Sequence, residues 1–507
     1  MLNSYFKDEP VRLNQEYDFR VTTMKRLLSG MYHDSIGVLG ECSSAKRSKT
    51  SDFEESRTSL VNWTHLPDVV ISEIFDNLNT PDRLNASSVC KHWRKNLYNK
   101  KWWKHITFTI EPDKINKARY FIAAFSPIVS HATIKLNTFS TECMEEFVSL
   151  IQILSDNPNL KTLIIEPTHC RFFEFSSVKI IKESLENDSS LITNSITKCL
   201  PKLNKFSIGC IEDLSNQVEH FLKILNDKHS NNLTVLGLAS VKDEPGKCKK
   251  IALSPSLFKP FTGLEILSID YDELCDEFLN NLEDALSLKR LVVHLHSVRP
   301  THPGTSNETW KIFKETHPEC EFRLTVIHAF KDVHNMHTKV LRKQMPLSHL
   351  KVFFCESVNI SVLECLSQYY QETLRSLIWV DSLNQEGDTW AITTPFYETP
   401  DPFLLISWLC KKLEEIILYG YKYWEDNLIA VARLRGPQLH TLEIAEDDIL
   451  FSNKNISPHD TCFKDIPLNL KRSWTPKKRS ELHPVICNPT AGDSDEYLLP
   501  IVLADLH

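Results

Sequence analysis

The chain has 507 residues, 42% of them apolar and 24% charged, with a formal net charge of −8. This is ordinary globular composition, and the length suits either several domains or one elongated repeat domain. The acidic balance argues against a chain whose main partner is nucleic acid, since such domains carry a basic excess. With only 12 glycines and neither G-x-G-x-x-G nor G-x-x-x-x-G-K-[ST], the common phosphate-cradling loops are excluded. No apolar run reaches the roughly 18 residues of a membrane span. The 14 cysteines are scattered without a C-x-x-C pair, and the N-terminus is polar. The expectation is reduced, largely buried thiols in a cytoplasmic or nuclear protein.

Residues 1–62 are mixed in charge and weakly periodic, and Ser43 to Ser59 read as disordered linker. Lys46-Arg47-Ser48-Lys49 there is a solvated basic cluster or an import signal. From Leu66 to Trp103 the pattern changes. A Leu-Pro pair is followed by Val70, Ile71, Ile74, Phe75 and Leu78, whose spacings of three and four make one stripe on a helix. Pro67 is tolerated in the first turn. Leu78-Asn79-Thr80-Pro81 breaks the helix, with Thr80 as cap and Pro81 opening the next. Leu84, Val89, Cys90, Trp93 and Leu97 carry the pattern on to Trp102-Trp103. The expectation is a helical hairpin, apolar on more than one face and too short to bury all of its large side chains.

Beyond it one motif returns, apolar-x-x-apolar-x-apolar. It begins at Leu160, Leu203, Leu233, Leu264, Leu288, Leu350, Leu374, Leu413 and Leu439, mostly at intervals of 24 to 43 residues. A further strand is expected at Phe322 to Ile327, and Ala132 to Leu136 begins the series. Helical periodicity fills the spaces at Cys143–Leu154, Val218–Leu225, Leu274–Leu286 and Val362–Tyr370. Alternating short strands and helices describe an α/β, leucine-rich-repeat-like solenoid. It is irregular, because several periods exceed the usual 20–29 residues or so and the Asn or Cys expected after the strand is mostly missing. A generic α/β domain of parallel strands is the alternative. Two insertions interrupt it. Ser297–Thr305 precedes a helix at Ser306–Glu315 that Thr305 and Glu308 open as a capping box, and Asp381–Pro402 is proline-rich and aromatic. After Leu450 the pattern ends in a polar tail with basic clusters at Lys471-Arg472 and Lys477-Lys478-Arg479.

No G-x-S-x-G, H-E-x-x-H or kinase H-R-D set is present. His294 and His296 share one face of a strand but have no third ligand near in sequence, so a structural role is expected. Acidic pairs such as Glu145-Glu146 and Glu414-Glu415 read as solvated faces. No catalytic residue, metal ligand or cofactor is expected. Lys91, Arg94, Lys95, Lys100, Lys101 and Lys104 crowd the second half of the hairpin, as in a DNA-reading helix-turn-helix. Val89, Trp93 and Leu97, however, commit that helix face to packing, and Asp68, Glu73 and Asp76 oppose phosphate.

The hairpin resembles the F-box, which opens Leu-Pro, continues Ile-x-x-Ile-Phe-x-x-Leu and closes Val-Cys-x-x-Trp before a final tryptophan. The segment from about Leu264 to Ile444, with TGLEILSIDYD and LEEIILYGYKYWEDNLIAVARLRG, also resembles the downstream region of that family. The resemblance implies a non-catalytic substrate receptor of a Skp–cullin–F-box ubiquitin ligase. The Skp adaptor, bridging to a cullin, would be met by Leu66, Pro67, Val70, Ile74, Leu78, Leu84, Val89 and Trp93. A protein substrate would be held on the exposed face of the repeat strands. Candidate positions are Lys205, Ile266, Asp270, Arg290, Phe354, Ile378, Ile417 and Tyr419, with Phe354, Ile378, Ile417 and Tyr419 leading because the C-terminal half is the more apolar. Apolar residues at both parities equally describe strands buried on both faces. The expected layout is a disordered region at 1–62, the F-box at 63–108, repeats at 109–450 and a tail at 451–507, with no nucleic acid or membrane partner. The competing class is a repeat scaffold without a ubiquitin role, capped by the hairpin.

Overall fold

The computed structural model describes residues 63–172, 182–228, 230–243, 253–383, 401–451 and 462–507. Residues 1–62, with Lys46–Lys49, and most of the insertion at Asp381–Pro402 lie outside the described residues. The chain divides into two compact units, Met1–Lys104 with Asn116–Ile128, and His105–Ile115 with Val129–His507.

The first unit holds three short helices, α1 (Asp68–Asp76), α2 (Thr80–Ser87) and α3 (Lys91–Leu97), and most of α4 (Ile115–Phe125). The expected two-helix hairpin is therefore broken once more, at Ser88-Val89-Cys90. The hydroxyls of Ser87 and Ser88 donate to the carbonyls of Leu84 (2.7 Å) and Asn85 (2.6 Å), the local competition by which serine ends helices. Asn79, not Thr80, caps α2, its side-chain oxygen accepting from the Asp82 amide at 2.9 Å. The core of this unit is aromatic. Phe75 meets Trp93 edge-on at 5.8 Å between ring centroids and Trp102 at 5.2 Å. Trp103 stacks on Phe125 at 3.8 Å, and its indole N–H donates to the Leu97 carbonyl.

The second unit is built on one parallel sheet of twelve strands in sequential order. They are β1 (His105–Ile110), β2 (His131–Leu136), β3 (Thr162–Pro167), β4 (Lys205–Ser207), β5 (Val235–Gly237), β6 (Ile266–Asp270), β7 (Arg290–Leu295), β8 (Glu321–Ile327), β9 (Leu347–Phe353), β10 (Ser376–Val380), β11 (Glu415–Tyr419) and β12 (Thr441–Ile444). Each pairs with the next in parallel. Every copy of the sequence motif lies on one of these strands. β1 is an addition: HITFTI alternates, burying Ile106, Phe108 and Ile110, without the leading leucine that marks most of the others.

Crossover helices follow the strands: α5 (Thr141–Asp156), α6 (Lys182–Cys199), α7 (Val218–Lys228), α8 (Asp276–Asn281), α9 (Asn307–Thr316), α10 (Ile360–Tyr369), α11 (Pro402–Leu409), α12 (Glu425–Arg435) and α13 (Cys462–Leu470). The helix expected at Leu274–Leu286 shortens to α8. Ser306 caps α9, accepting from the Thr309 amide at 3.1 Å, whereas Thr305 accepts from the Trp310 indole at 2.9 Å. Parallel strands joined in this way form a solenoid-like α/β repeat. β1, β2 and β12 bury alternate residues, whereas the strands between them bury residues of both parities, completely in β10.

The C-terminal segment corrects the expected polar tail. Residues 462–507 are largely helical, and the last long helix, α14 (Ser494–Leu503), packs on the sheet. Leu498, Leu499, Val502, Leu503 and Leu506 form one buried cluster with Cys210, Ile327, Phe353, Ile378, Val380 and Tyr419. Gly237 makes room for this contact, since a Cβ there would stand 2.8 Å from Leu506 Cδ1. Polar anchors fix both ends of the segment. Near its start, the Cys170 amide donates to Asp495 at 2.8 Å. Near its end, Asp505, 1% exposed, accepts from Arg323 at 2.7 Å and Lys351 at 2.8 Å. Arg290 also donates to the carbonyls of Asp505 (2.6 Å) and His507 (2.9 Å). The tail's basic clusters are likewise part of the fold: Arg479 pairs with Asp447 at 3.3 Å and Lys477 with Glu443 at 3.7 Å.

Burial opposes the charge on Asp505, but Lys351 and Arg323 outweigh it and hold the carboxyl below its ordinary value. Such a depressed value contributes stability above the unfolded pKa of about 3.9, lost only as pH falls through the lower folded value. Asp505→Asn is expected to cost about 3 kcal/mol, read as lost hydrogen-exchange protection of the α14 amides at neutral pH. The difference between wild type and variant should shrink only in strong acid.

Candidate functional site

In the first unit α1 and α3 are held together by their inward residues. Ile71, Phe75, Trp93 and Leu97 are buried, as an amphipathic pair requires. Polar ties support them. The Leu66 carbonyl is 2.8 Å from His92 Nε2, Asn96 donates to Asp68 at 2.9 Å, and Arg83 Nε donates to the Phe75 carbonyl at 2.7 Å. Asp76 accepts from Lys101 and the Trp102 indole, each at 2.6 Å, and these two hydrogen bonds hold its carboxyl below its ordinary value. Lys101, one of the basic residues that suggested a DNA-reading helix, is thereby spent on an internal pair.

The residues expected to meet an adaptor divide. Trp93 is 8% exposed and belongs to the unit's own core. Leu66, Ile74, Leu78 and Leu84 are half-buried, whereas Pro67, Val70 and Val89 are exposed. The structure adds Val69, exposed by 73%, to Val70 at 41% and Val89 at 58%. Val69 lies off the stripe that marks the inward face, so periodicity alone assigns it to solvent. Exposed apolar side chains at the start of α1 and in the turn before α3 are left after the core is complete.

The positions expected to hold a substrate are placed differently from the sequence reading. Phe354 follows the end of β9 with a left-handed backbone (φ 51°), so it is not a strand position. It, Ile378 and Tyr419 are buried in the α14 cluster, and Ile417 is half-buried against it. Tyr419 also donates to Glu443 at 2.5 Å. Ile266, Asp270 and Arg290 are half-buried, and of the eight candidates Lys205 is the exposed one. The face is real, but the chain's own C-terminal helix covers it. The only sequence signal is the run YLLPIVLADL in a stretch that otherwise reads as polar.

Two histidine clusters bring potential ligand atoms together. His294 Nδ1 and His296 Nε2 both meet the Ser240 carbonyl, at 3.1 and 2.9 Å. Both are buried, and burial lowers the pKa of His296 to about 3, so the pair is neutral and structural, as the sequence suggests. His169, Cys170 and Asp495 bring donor atoms within 4.8 Å of one another. His169 Nδ1, however, accepts the Arg171 amide at 2.9 Å. The ring proton is therefore on Nε2, facing Asp493 Oδ2 at 3.0 Å, which makes this a hydrogen-bonded clasp with no lone pair aimed at a cation. Burial pushes the Cys170 thiol far above its ordinary value, leaving it inert. No described helix is long and apolar enough to cross a membrane.

Residues 63–109 match the F-box-like family. Over 467 residues the chain is 23% identical to F-box only protein 33 of Homo sapiens, covering 81% of this chain and 82% of that protein. Over 456 residues it is 22% identical to F-box/LRR-repeat protein 21 of Mus musculus, covering 86% and 93%. Among solved structures, a chain in the crystal structure of the Rad7 and Elc1 complex in yeast matches with a TM-score of 0.38 and 14% identity, covering 77% of this chain and 90% of that one.

The division of faces in the first unit is testable. Phe75→Ala and Trp93→Ala should each destabilise it by about 3–5 kcal/mol, while Val70→Ala and Val89→Ala should stay within about 0.5 kcal/mol. Circular dichroism during denaturant titration measures both.

Proposed function

From the premise that the chain carries an F-box-like domain at residues 63–109, we propose that it is the substrate-recognition subunit of a Skp–cullin–F-box ubiquitin ligase. The observation that carries this reading is the exposure of Val69 and Val70 on α1 and of Val89 in the turn before α3, in a unit whose own core is already filled by Phe75, Trp93 and Leu97. Desolvating exposed apolar side chains of this kind favours association with a partner. Of the residues assigned to the adaptor, Pro67, Val70 and Val89 are exposed, and Leu66, Ile74, Leu78 and Leu84 are half-buried. Trp93 acts from inside, keeping α1 against α3. Residues 63–108 then dock the adaptor, and the repeat region from 109 onward receives the substrate.

No chemistry is required of the chain in this role. Holding a substrate near the charged conjugating enzyme raises the effective concentration of its lysines, which suffices to accelerate transfer. The chain acts as a non-catalytic adaptor.

The test is calorimetric titration of the full chain with purified Skp adaptor. Binding by the wild type, weakened by about 2 kcal/mol or more in Leu66→Ala/Pro67→Ala with an unchanged circular dichroism spectrum, supports the reading. No binding by the intact chain overturns it in favour of a repeat scaffold without a ubiquitin role.

A further inference from the structure

We propose that the sheet face now covered by α14 is the substrate-docking surface, and that the partner it fits is an acidic amphipathic helix for which α14 is the resident stand-in. The inference rests on the substrate-receptor reading above and deepens it by naming the class of substrate segment.

The fit is written in the contacts. α14 and its continuation bury Leu498, Leu499, Val502, Leu503 and Leu506, while Glu496, Pro500 and Ala504 face solvent, the division expected of a helix laid into a groove. The receiving face is apolar in the middle, at Ile327, Phe353, Ile378 and Tyr419. Beside this lies a cradle with a net cationic excess contributed by three consecutive strands, Arg290 of β7, Arg323 of β8 and Lys351 of β9. Glu321 of β8 pairs with Arg323 at 2.6 Å and Arg290 at 3.9 Å and so offsets one charge. Asp505 answers Arg323 and Lys351 with its carboxylate and Arg290 with its carbonyl. Charge and shape together select an occupant with leucine-type residues three to four apart and an acid one turn beyond.

The occupant can leave without dismantling the receptor. α14 contributes no strand to the twelve-stranded ladder. The segment is fastened upstream by its own contacts, the Leu383 amide donating to the Ile486 carbonyl at 2.7 Å and Ser382 to the Val485 carbonyl at 2.8 Å. An undocked α14 therefore remains tethered, and a helix arriving in trans competes with a tethered rival present at high effective concentration. Weakening the latch raises the apparent affinity for the competitor by the same factor.

The test uses the full chain and, as probe, a labelled synthetic peptide with the sequence of residues 488–507. Asp505→Lys, which sets a cation against Arg323 and Lys351, should capture the peptide about ten-fold or more tightly than the wild type does. Asn in place of Asp505 within the peptide, or Ile378→Arg in the receiving chain, should undo the gain. Equal affinity for both chains overturns the proposal. Native-state hydrogen exchange on the wild type decides the matter even where Asp505→Lys does not fold. Exchange of α14 amides through an opening that leaves β7 to β9 protected supports a displaceable helix. Exchange of α14 only together with the sheet overturns it. Neither readout depends on the adaptor, so failure here with adaptor binding intact leaves the receptor reading standing, and the reverse result does the opposite.

Discussion

Parallel strands joined by crossover helices leave the second face of the sheet to be covered by something else. In this chain the inner strands, such as β3, β7 and β10, bury residues of both parities, and the cover over much of the second face is the C-terminal helix. Its seat explains features that are otherwise unrelated. Gly237 lacks a side chain where Leu506 approaches. Arg323, half-buried, and Lys351, buried, stand on adjacent strands with their charged ends on Asp505. The Cys170 amide, at the far end of the helix, finds its acceptor 325 residues away in sequence. A burial of this kind has to satisfy its polar groups as it excludes water, and the anchors at the two ends of α14 do so.

How much of this the sequence discloses depends on the range of the interaction. The strands are legible because each motif, such as Leu264-x-x-Leu267-x-Ile269, records a local fact, that one strand buries alternate residues against its neighbours. β1 escapes because its alternation lacks the preceding leucine. The covering helix escapes for a deeper reason. Its run, Leu498 to Leu506, has no partner nearby in sequence and sits behind Pro484, Asn488, Pro489 and Gly492, so local composition reads as tail. The candidate surface is misjudged for the same cause. Ile378 and Tyr419 lie on the face opposite the crossover helices, but whether a face meets solvent or another element is not a local property.

In the first unit the difficulty lies in dividing one small apolar set between two uses. Val70, Ile71, Ile74 and Phe75 all satisfy helical spacing, and only the angle at which α1 meets α3 sorts them. Aromatic contacts set that angle: Phe75 sits between Trp93 and Trp102, and the Trp102 indole is tied back to Asp76. Once these rings fix the inner side, Val70 and Val89 are left outside. An outside apolar surface of this kind is tolerated when a partner desolvates it.

The buried ionisable groups of the second unit sharpen where function and stability part. Burial drives most of them to their neutral forms: the thiols of Cys170, Cys210 and Cys355 are pushed up, His294 and His296 are pushed down, and Asp448 rises to about 7. Asp270 and Asp505 run the other way: burial opposes their charge, but Lys242 at Asp270, and Lys351 with Arg323 at Asp505, overcome it. A buried ion pair is weak evidence for stability, because apolar residues of the same volume would serve a sheet cover as well or better. What charge adds is selectivity for an occupant carrying the opposite sign in one position. Beneath α14 that preference of sign is set by Arg323 and Lys351, which pair with the Asp505 carboxylate and would oppose a cation in its place.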